Sequence, residues 1–315
     1  MSRVVALSGG VGGAKLALGL DRVLPAGDLT VVANTGDDFD HLGLRICPDI
    51  DTLMYVLAGL DDRERGWGRA GESWRFMEAL RPLGGPEWFQ LGDADLATHL
   101  QRTYRLSCGE TLSSITQDFF KRLDIAARVL PMTDDPVRTQ ILSGGRWMDF
   151  QDYFVRQRCE PLAQEVRFQG AAAARPHPAV LEALHGPGLS AVVICPSNPF
   201  LSIAPILALP GIREALRASG APVIAVSPII GGQAVKGPTA KLMKEFGLES
   251  SAAGVAAHYG NLVDIFVADE QDANASFDAG TNAVFRQTWM RTLDDRESLA
   301  RQVLALSDAW RTTGP

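Results

Sequence analysis

The fold of this 315-residue chain is set by the stretch VVALSGGVGGAKLALGL at residues 4–20. Residues 4–7 form an apolar run typical of a buried strand, and residues 8–13 form a glycine-rich turn. The apolar spacing that continues to Leu20 is typical of a helix. Strand, glycine turn and helix in this order open a βαβ unit, so we expect a parallel sheet.

Further apolar runs predict five more strands, at residues 29–33, 126–130, 191–195, 223–226 and 264–268. Helical patterns separate several of them, which predicts an α/β fold with a Rossmann-like, doubly wound, mostly parallel sheet. We expect a single domain over residues 1–315, and its weakest point, where a linker would fall, is 171–178. Three other segments are expected to be a helical insertion at 72–122, a small β-hairpin region at 137–155 and an amphipathic helix at 298–310.

Composition excludes several classes of protein. The net charge is −7, with 46% hydrophobic residues and no basic cluster, which argues against disorder and against a nucleic-acid partner. The four cysteines are far apart and no secretory signal precedes the first strand, so we expect reduced thiols in the cytoplasm. The longest uncharged stretch, residues 186–212, is interrupted by prolines, so we expect no membrane span.

The glycine loop has two open interpretations. Gly9, Gly10, Gly12 and Gly13 match neither a Walker loop nor a Gly-x-Gly-x-x-Gly fingerprint. Their spacing allows an anion to approach backbone N–H groups at the start of a helix. A tight strand-to-helix turn explains the same glycines without any ligand.

The loop after the second predicted strand concentrates oxygen ligands. It reads Asn34-Thr35-Gly36-Asp37-Asp38. Neighbouring carboxylates repel one another unless a cation offsets their charge, and Mg²⁺ is commonly bound by one or two carboxylates together with substrate phosphates. We therefore predict that Asp37 and Asp38 bind Mg²⁺, the alternative being a solvated turn. The five histidines form no pair with metal-ligand spacing, so a zinc site is not expected.

Two pairs of acids precede predicted helices, Asp49 with Asp51 and Asp93 with Asp95. In each pair we expect one residue to cap the helix and the other to be available for the site. The polar pair Ser197-Asn198 is fixed between two prolines at the end of the most apolar strand, which suits recognition of a phosphate or a base edge. No nucleophile, histidine and acid arrangement stands out, so binding with a metal is favoured over covalent catalysis.

Taken together, ten short motifs in order resemble the 2-phospho-L-lactate transferase family of coenzyme F-420 biosynthesis, over residues 3 to about 270. They are SGGVGGAKL (8–16), NTGDD (34–38), GLRICPDIDT (43–52), GWG (66–68), LGD with DLATH (91–99), LPMTDDP (130–136), FQDYF (150–154), PSNP (196–199), SPIIG (227–231) and GPTAKLM (237–243).

The resemblance implies an enzyme that moves a phospholactyl-type group, such as 2-phospholactate or phosphoenolpyruvate, from a guanosine diphosphate conjugate. The acceptor would be the deazaflavin 7,8-didemethyl-8-hydroxy-5-deazariboflavin, GMP would be released, Mg²⁺ would be the cofactor and the protein would be a homodimer.

On the same resemblance, Asp51 and Asp37 are the expected catalytic residues, and Asp51 would contact the deazaflavin and orient or deprotonate its hydroxyl. The residues expected to bind the two substrates are Gly9, Gly10, Gly12, Gly13, Asn34, Thr35, Asp49, Asp51, Gln90, Asp93, Ser197 and Asn198.

Two alternatives share parts of this pattern. A nucleotide-sugar-binding regulatory protein of the gluconeogenesis-factor type would keep the fold without the reaction. An NAD(P)-dependent oxidoreductase would rest on the glycine loop alone, and that loop lacks the required spacing.

Overall fold

The computed structural model describes residues 3–235 and 237–313. Its strands are β1 (Arg3–Ser8), β2 (Leu29–Ala33), β3 (Phe39–His41), β4 (Leu44–Ile46), β5 (Arg128–Pro131), β6 (Arg138–Ser143), β7 (Arg146–Asp149), β8 (Glu165–Gln169), β9 (Leu189–Ile194), β10 (Val223–Val226), β11 (Ile229–Ile230), β12 (Gln233–Ala234), β13 (Ile265–Asp269) and β14 (Ala283–Arg286).

The α-helices are α1 (Gly10–Val23), α2 (Pro48–Leu57), α3 (Arg75–Leu80), α4 (Asp93–Ser107), α5 (Leu112–Arg122), α6 (Pro178–His185), α7 (Ala204–Leu207), α8 (Ile212–Ala218), α9 (Thr239–Glu245), α10 (Ala252–Tyr259) and α11 (Leu293–Thr313). Two π-helical turns lie at Asp152–Arg156 and Pro199–Ile203, and 3-10 turns lie at Arg81–Leu83, Gly260–Leu262 and Glu270–Asp272.

The central sheet has seven strands in the order β14-β13-β10-β9-β1-β2-β5, and every neighbouring pair is parallel. The predicted α/β class and doubly wound sheet are confirmed. From β1 the chain moves to one side through β2 and β5, then crosses to β9 and continues to the other side. The order therefore reverses between β1 and β9, and in open parallel sheets ligands bind outside the carboxyl ends of the strands at this point.

Both faces of the sheet are covered, which explains the continuous apolar runs in its strands. Val4 and Ala6 of β1 pack on one face with α1, α2 and α11, while Val5 and Leu7 pack on the other with α6, α8, α9 and α10. This alternation follows from the two-residue period of a strand. The core cluster that contains Val4 and Ala6 joins α1 and α11, the helices at the two ends of the chain.

Some predicted boundaries are wrong in detail. The hairpin at residues 137–155 ends at Asp149, because residues 152–156 form a π-helical turn, and β8 joins β6 to complete a three-stranded antiparallel sheet. The last helix begins at Leu293 and is longer than predicted. In the stretch considered as a linker, Ala171 and Ala174 are buried in the core shared with the sheet.

Helices α3, α4 and α5 occupy the predicted insertion at 72–122. The segment before α3 caps α4: the Glu72 carboxylate accepts the N–H groups of Ala94 at 2.7 Å and Asp95 at 2.8 Å. In return, the Asp93 carboxylate accepts the N–H group of Phe76 at 2.9 Å. These bonds satisfy backbone N–H groups in the first turns of α3 and α4, which have no acceptor within their own helix.

Among the described residues, no single helix is long and apolar enough to cross a membrane. One helix pair, Pro199–Leu207 with Ile212–Ala218, is bent by 82°. Together the two segments match a membrane span by length and composition only.

The contact between α1 and α11 gives a test of the packing. A Cβ atom at Gly19 would lie 2.1 Å from the carbonyl oxygen of Arg296 on α11. Replacing Gly by Ala inside a helix ordinarily stabilises it by about 1 kcal/mol. Here we expect Gly19→Ala to lower the free energy of unfolding by about 1–3 kcal/mol, because the backbone of α11 must move.

Chemical denaturation of both the variant and wild type measures this change. Gly280→Ala is the matched control, since a Cβ there meets no atom within 4 Å. A Gly19→Ala variant as stable as wild type would show that α11 does not pack against α1 at this distance.

Candidate active site

Gly9 and the first turn of α1 meet the loop after β9 where the strand order reverses. The glycine turn predicted at 8–13 is shorter than expected, because α1 begins at Gly10. The N–H group of Gly9 donates to Ser197 Oγ at 3.2 Å. A Cβ at Gly12 would lie 2.3 Å from the carbonyl oxygen of Pro196, and one at Gly13 would lie 2.4 Å from Ser197 Oγ. Close packing against the backbone at Gly12 and against serine side chains at Gly13 therefore explains both glycines without a ligand. A role for these glycines in binding phosphate stays a prediction.

The side chain of Asp49, a residue of α2, lies at the N-terminus of α1. Its Oδ1 accepts the N–H group of Gly10 at 2.6 Å, and its Oδ2 accepts Asn34 Nδ2 at 2.9 Å. The expectation that Asp49 or Asp51 caps α2 is wrong, because the cap position is Cys47 and Pro48 begins the helix. A carboxylate of the protein thus holds the place at Gly10 where the sequence suggested a bound anion, with the favourable dipole of α1.

Asn34 shapes the acidic loop. Its Oδ1 accepts the N–H group of Gly36 at 2.8 Å, while its Nδ2 also reaches the carbonyl oxygen of Leu201 at 3.3 Å. A Cβ at Gly36 would meet Thr139 Oγ1 at 2.7 Å, so this turn also needs glycine. The loop is thereby folded back, and Asp37 and Asp38 are both buried.

The burial of these two acids is electrostatically costly. Loss of solvent raises the pKa of Asp37 well above its usual range, and the nearby charge of Asp49 raises it further. Burial raises the pKa of Asp38 to about 7, although the Cys47 thiol and the Arg102 guanidinium oppose the shift. Oδ1 of each carboxyl is buried without a hydrogen-bond partner in the described structure.

These properties fit a divalent cation. Positive charge would relieve the desolvation of both acids, and each offers an unpartnered oxygen. In the part of the chain that is described, no three His, Cys, Asp or Glu residues form a ready-made metal site. A cation here would complete its coordination with water or ligand oxygens, which is the arrangement that Mg²⁺ favours.

Ser8, Thr35 and Asn198 add polar groups at the same edge. The Oγ of Ser8, the Oγ1 of Thr35 and the Nδ2 of Asn198 are buried and have no hydrogen-bond partner in the described structure. The Oδ1 of Asn198 caps the following π-helical turn by accepting the N–H groups of Phe200 and Leu201. Unpartnered buried polar atoms cost free energy, so their concentration here indicates a place where a polar ligand is bound.

Asp51 is held by an arginine that the sequence did not point to. Both terminal nitrogens of Arg102 bond the Asp51 carboxylate, Nη1 reaching Oδ2 at 3.2 Å. Arg102 and its neighbour His99 lie on α4, and all three residues are buried. The spacing Asp95, His99, Arg102 puts three polar residues on one helical face, which is the signal that could have identified them.

Gln90 and Asp93 make their hydrogen bonds to other residues of the helical insertion. A hydrogen bond from Ser73, with the N–H groups of Phe76 and Arg75 at the start of α3, holds the pKa of the Asp93 carboxyl below its usual range. Gln90 is exposed and donates to the carbonyl oxygen of Glu87. Their roles toward an acceptor stay predictions.

The donors of Asn34 provide a test of the site's electrostatics. In Asn34→Asp, a carboxylate would face the Asp49 carboxylate and the Leu201 carbonyl oxygen, both of which now accept from Nδ2. We expect the variant to be less stable at pH 8 by about 3 kcal/mol or more. The loss should shrink toward pH 5, because the new carboxyl has a raised pKa in the folded state and its protonated form can donate.

Thermal unfolding at both pH values measures this effect. Asn261→Asp is the control, because Asn261 is exposed and its Oδ1 accepts from Arg217, a bond that a carboxylate preserves. Equal stability of Asn34→Asp and wild type at pH 8 would contradict the proposed contact between Asn34 and Asp49.

Comparison with known proteins identifies the family of this chain. A family model described as 2-phospho-L-lactate transferase CofD matches residues 4–306. The phosphoenolpyruvate transferase of Streptomyces coelicolor is 44% identical, over 98% of this chain and 99% of its own. The 2-phospho-L-lactate transferase of Methanosarcina barkeri is 40% identical, over 97% of this chain and 98% of its own.

Among solved structures, a UPF0052-family protein of Bacillus halodurans superposes with a TM-score of 0.59, at 15% identity and over 96% of this chain and 100% of its own. That likeness supports the fold alone. The family match and the full-length relatives together show that this chain is a transferase belonging to the 2-phospho-L-lactate transferase CofD family.

Proposed function

We propose that the chain transfers a phosphoenolpyruvate group from a guanosine diphosphate conjugate to the deazaflavin 7,8-didemethyl-8-hydroxy-5-deazariboflavin, with release of GMP. The observation that carries this proposal is the buried pair Asp37 and Asp38, whose unpartnered oxygens lie in the loop after β2, the strand next to β1. A diphosphate with a divalent cation matches that charge and that position.

The choice of acid in the donor rests on the relatives. Those named phosphoenolpyruvate transferase reach 44% identity, while those named 2-phospho-L-lactate transferase reach 40%. This difference supports phosphoenolpyruvate as the first donor to test. The conjugates of 2-phospholactate and 3-phosphoglycerate differ from it by only a few atoms and are its direct competitors.

In this proposal, Asp37 and Asp38 hold Mg²⁺, which when bound neutralises charge on the phosphate oxygens of the donor. Ser197 and Asn198 lie beside the glycine loop, and the buried Nδ2 of Asn198 is a free donor for a phosphate or base oxygen. Together they position the donor, and positioning with charge neutralisation supplies most of the acceleration in phosphoryl transfer.

Asp51 orients the attacking hydroxyl of the deazaflavin. The hydroxyl oxygen forms a new bond to the phosphorus that carries the acid, the bond from that phosphorus to the bridging oxygen breaks, and GMP leaves with the electron pair. The hydroxyl proton is released to solvent as the bond forms. A carboxylate is a weak base toward an alcohol, so Asp51 contributes mainly through geometry.

We further propose a cytoplasmic location, which the four unpaired cysteines support. The homodimer expected from the sequence stays a prediction.

The direct test is an incubation of the purified protein with the deazaflavin, Mg²⁺ and each of the three guanosine conjugates, followed by mass spectrometry. We expect a deazaflavin product enlarged by one phosphoenolpyruvate unit and an equal amount of GMP. The matched control is Asp37→Asn combined with Asp38→Asn, which keeps the shape of both side chains and should lower turnover by about 100-fold or more.

Absence of product with every donor, together with tight binding of GDP, would contradict the proposal and favour the regulatory nucleotide-binding alternative. Product from another conjugate alone would correct the donor and keep the reaction.

A further inference from the structure

Arg102 is a fully buried cation at a site dominated by buried acids. Its side chain is 1% exposed, and it comes from α4 in the helical insertion. Beyond its two bonds to Asp51, its Nη1 donates to the carbonyl oxygen of Arg45 at 3.2 Å and lies 3.3 Å from His99 Nδ1. The guanidinium is therefore held by the Asp51 carboxylate, the Arg45 carbonyl oxygen and the His99 ring.

A second layer of polar contacts supports this arrangement. His99 Nε2 lies 3.1 Å from Asp95 Oδ2, and the hydroxyl of Tyr55 bonds the other oxygen of Asp95. Tyr55 is four residues after Asp51 on α2, so these two residues share one face of that helix. Helices α2 and α4 are thus joined by adjacent polar contacts, from Asp51 to Arg102 and from Tyr55 to Asp95 and Thr98.

The chemistry of these groups determines the direction of each bond. A guanidinium can only donate, so the contact between Arg102 Nη1 and His99 Nδ1 is a hydrogen bond in the neutral tautomer that carries its proton on Nε2. His99 Nδ1 also lies 3.6 Å from Asp51 Oδ2. Each oxygen of Asp51 uses one lone pair for Arg102 and retains another. The retained lone pairs have a fixed direction, because the carboxylate plane follows the plane of the guanidinium.

We infer that Arg102 is a positioning residue for the transfer reaction: it fixes the Asp51 carboxylate in the orientation that receives the acceptor's hydroxyl. This inference rests on the proposed function, in which Asp51 contacts that hydroxyl. It gives the helical insertion a role, since α4 supplies the fully buried cation that bonds Asp51.

The identity of the cation is the decisive feature. Lysine would retain the positive charge but would offer a point charge on a flexible stem in place of a planar, two-pronged donor. Arg102→Lys therefore separates orientation from charge. Arg105→Lys is the control, because Arg105 lies on the same helix and pairs with Glu110 and Asp118 near the surface.

The experiment compares steady-state kinetics and GDP affinity for wild type and both variants. We expect Arg102→Lys to lower kcat by about 100-fold, the effect of a misplacement near 1 Å, with the GDP dissociation constant unchanged. Arg105→Lys should match wild type in both. Wild-type kcat in Arg102→Lys would overturn the inference.

A double-mutant cycle distinguishes positioning from a separate structural contribution. Since Arg102 acts through Asp51, the combination of Arg102→Lys with Asp51→Asn should be no slower than Asp51→Asn alone. If the loss of kcat in the double variant equals the product of the losses in the two single variants, the inference is overturned.

If Arg102→Lys does not fold, His99→Gln replaces it, because that change leaves the charges of Arg102 and Asp51 and removes the imidazole that fixes the guanidinium. A kcat lowered about tenfold with unchanged GDP affinity supports the inference, and an unchanged kcat overturns it. Wild type inactive with every donor would remove the proposed function itself, whereas active wild type with fully active Arg102→Lys would remove the inference alone.

Discussion

The burial of four carboxylates at one edge of the sheet, Asp37, Asp38, Asp49 and Asp51, is the constraint on which the rest of the site depends. Removing a carboxylate from water costs several kcal/mol unless positive charge or hydrogen-bond donors compensate. The structure compensates two of them internally: α1 and Asn34 donate to Asp49, and Arg102 donates to Asp51. Oδ1 of Asp37 and Oδ1 of Asp38 are buried with no hydrogen-bond partner in the described structure, so this pair still lacks a compensating charge.

The topology of the sheet brings these groups together. β1 and β2 end side by side, and β9 ends on the other side of β1, so the glycine loop, the acidic loop and the Ser197-Asn198 pair meet at one edge. Glycine at positions 12 and 13 lets the loop after β9 approach α1 closely. The helical insertion contributes Arg102, which bonds Asp51 although the two residues are 51 positions apart in sequence. Parallel sheets of this kind occur in proteins of many functions, so the function depends on the cluster of charged side chains at this edge and not on the sheet itself.

Sequence patterns predicted the central sheet well because its strands are buried on both faces. Residues 29–33 and 223–226 match β2 and β10 without any shift. β14 was missed, because its four residues are only partly buried at the edge of the sheet and its apolar run is only three residues long, Ala283 to Phe285. The placement of Asp49 was also not predictable, since its partner Gly10 is 39 residues away and is brought near only by tertiary packing. Arg102 was missed for a related reason: a charged residue in an amphipathic helix is usually solvated.

The central claim is that Asp37 and Asp38 are the pair left free to bind a divalent cation together with the donor's phosphates. The most direct measurement is anomalous diffraction from crystals grown with GDP and Mn²⁺ in place of Mg²⁺. The account predicts one strong peak between these two carboxylates and the diphosphate, with metal–oxygen distances near the roughly 2.1 Å typical of such cations. A diphosphate bound with its metal on Asp49 or Asp51, or with no metal at Asp37 and Asp38, would contradict it.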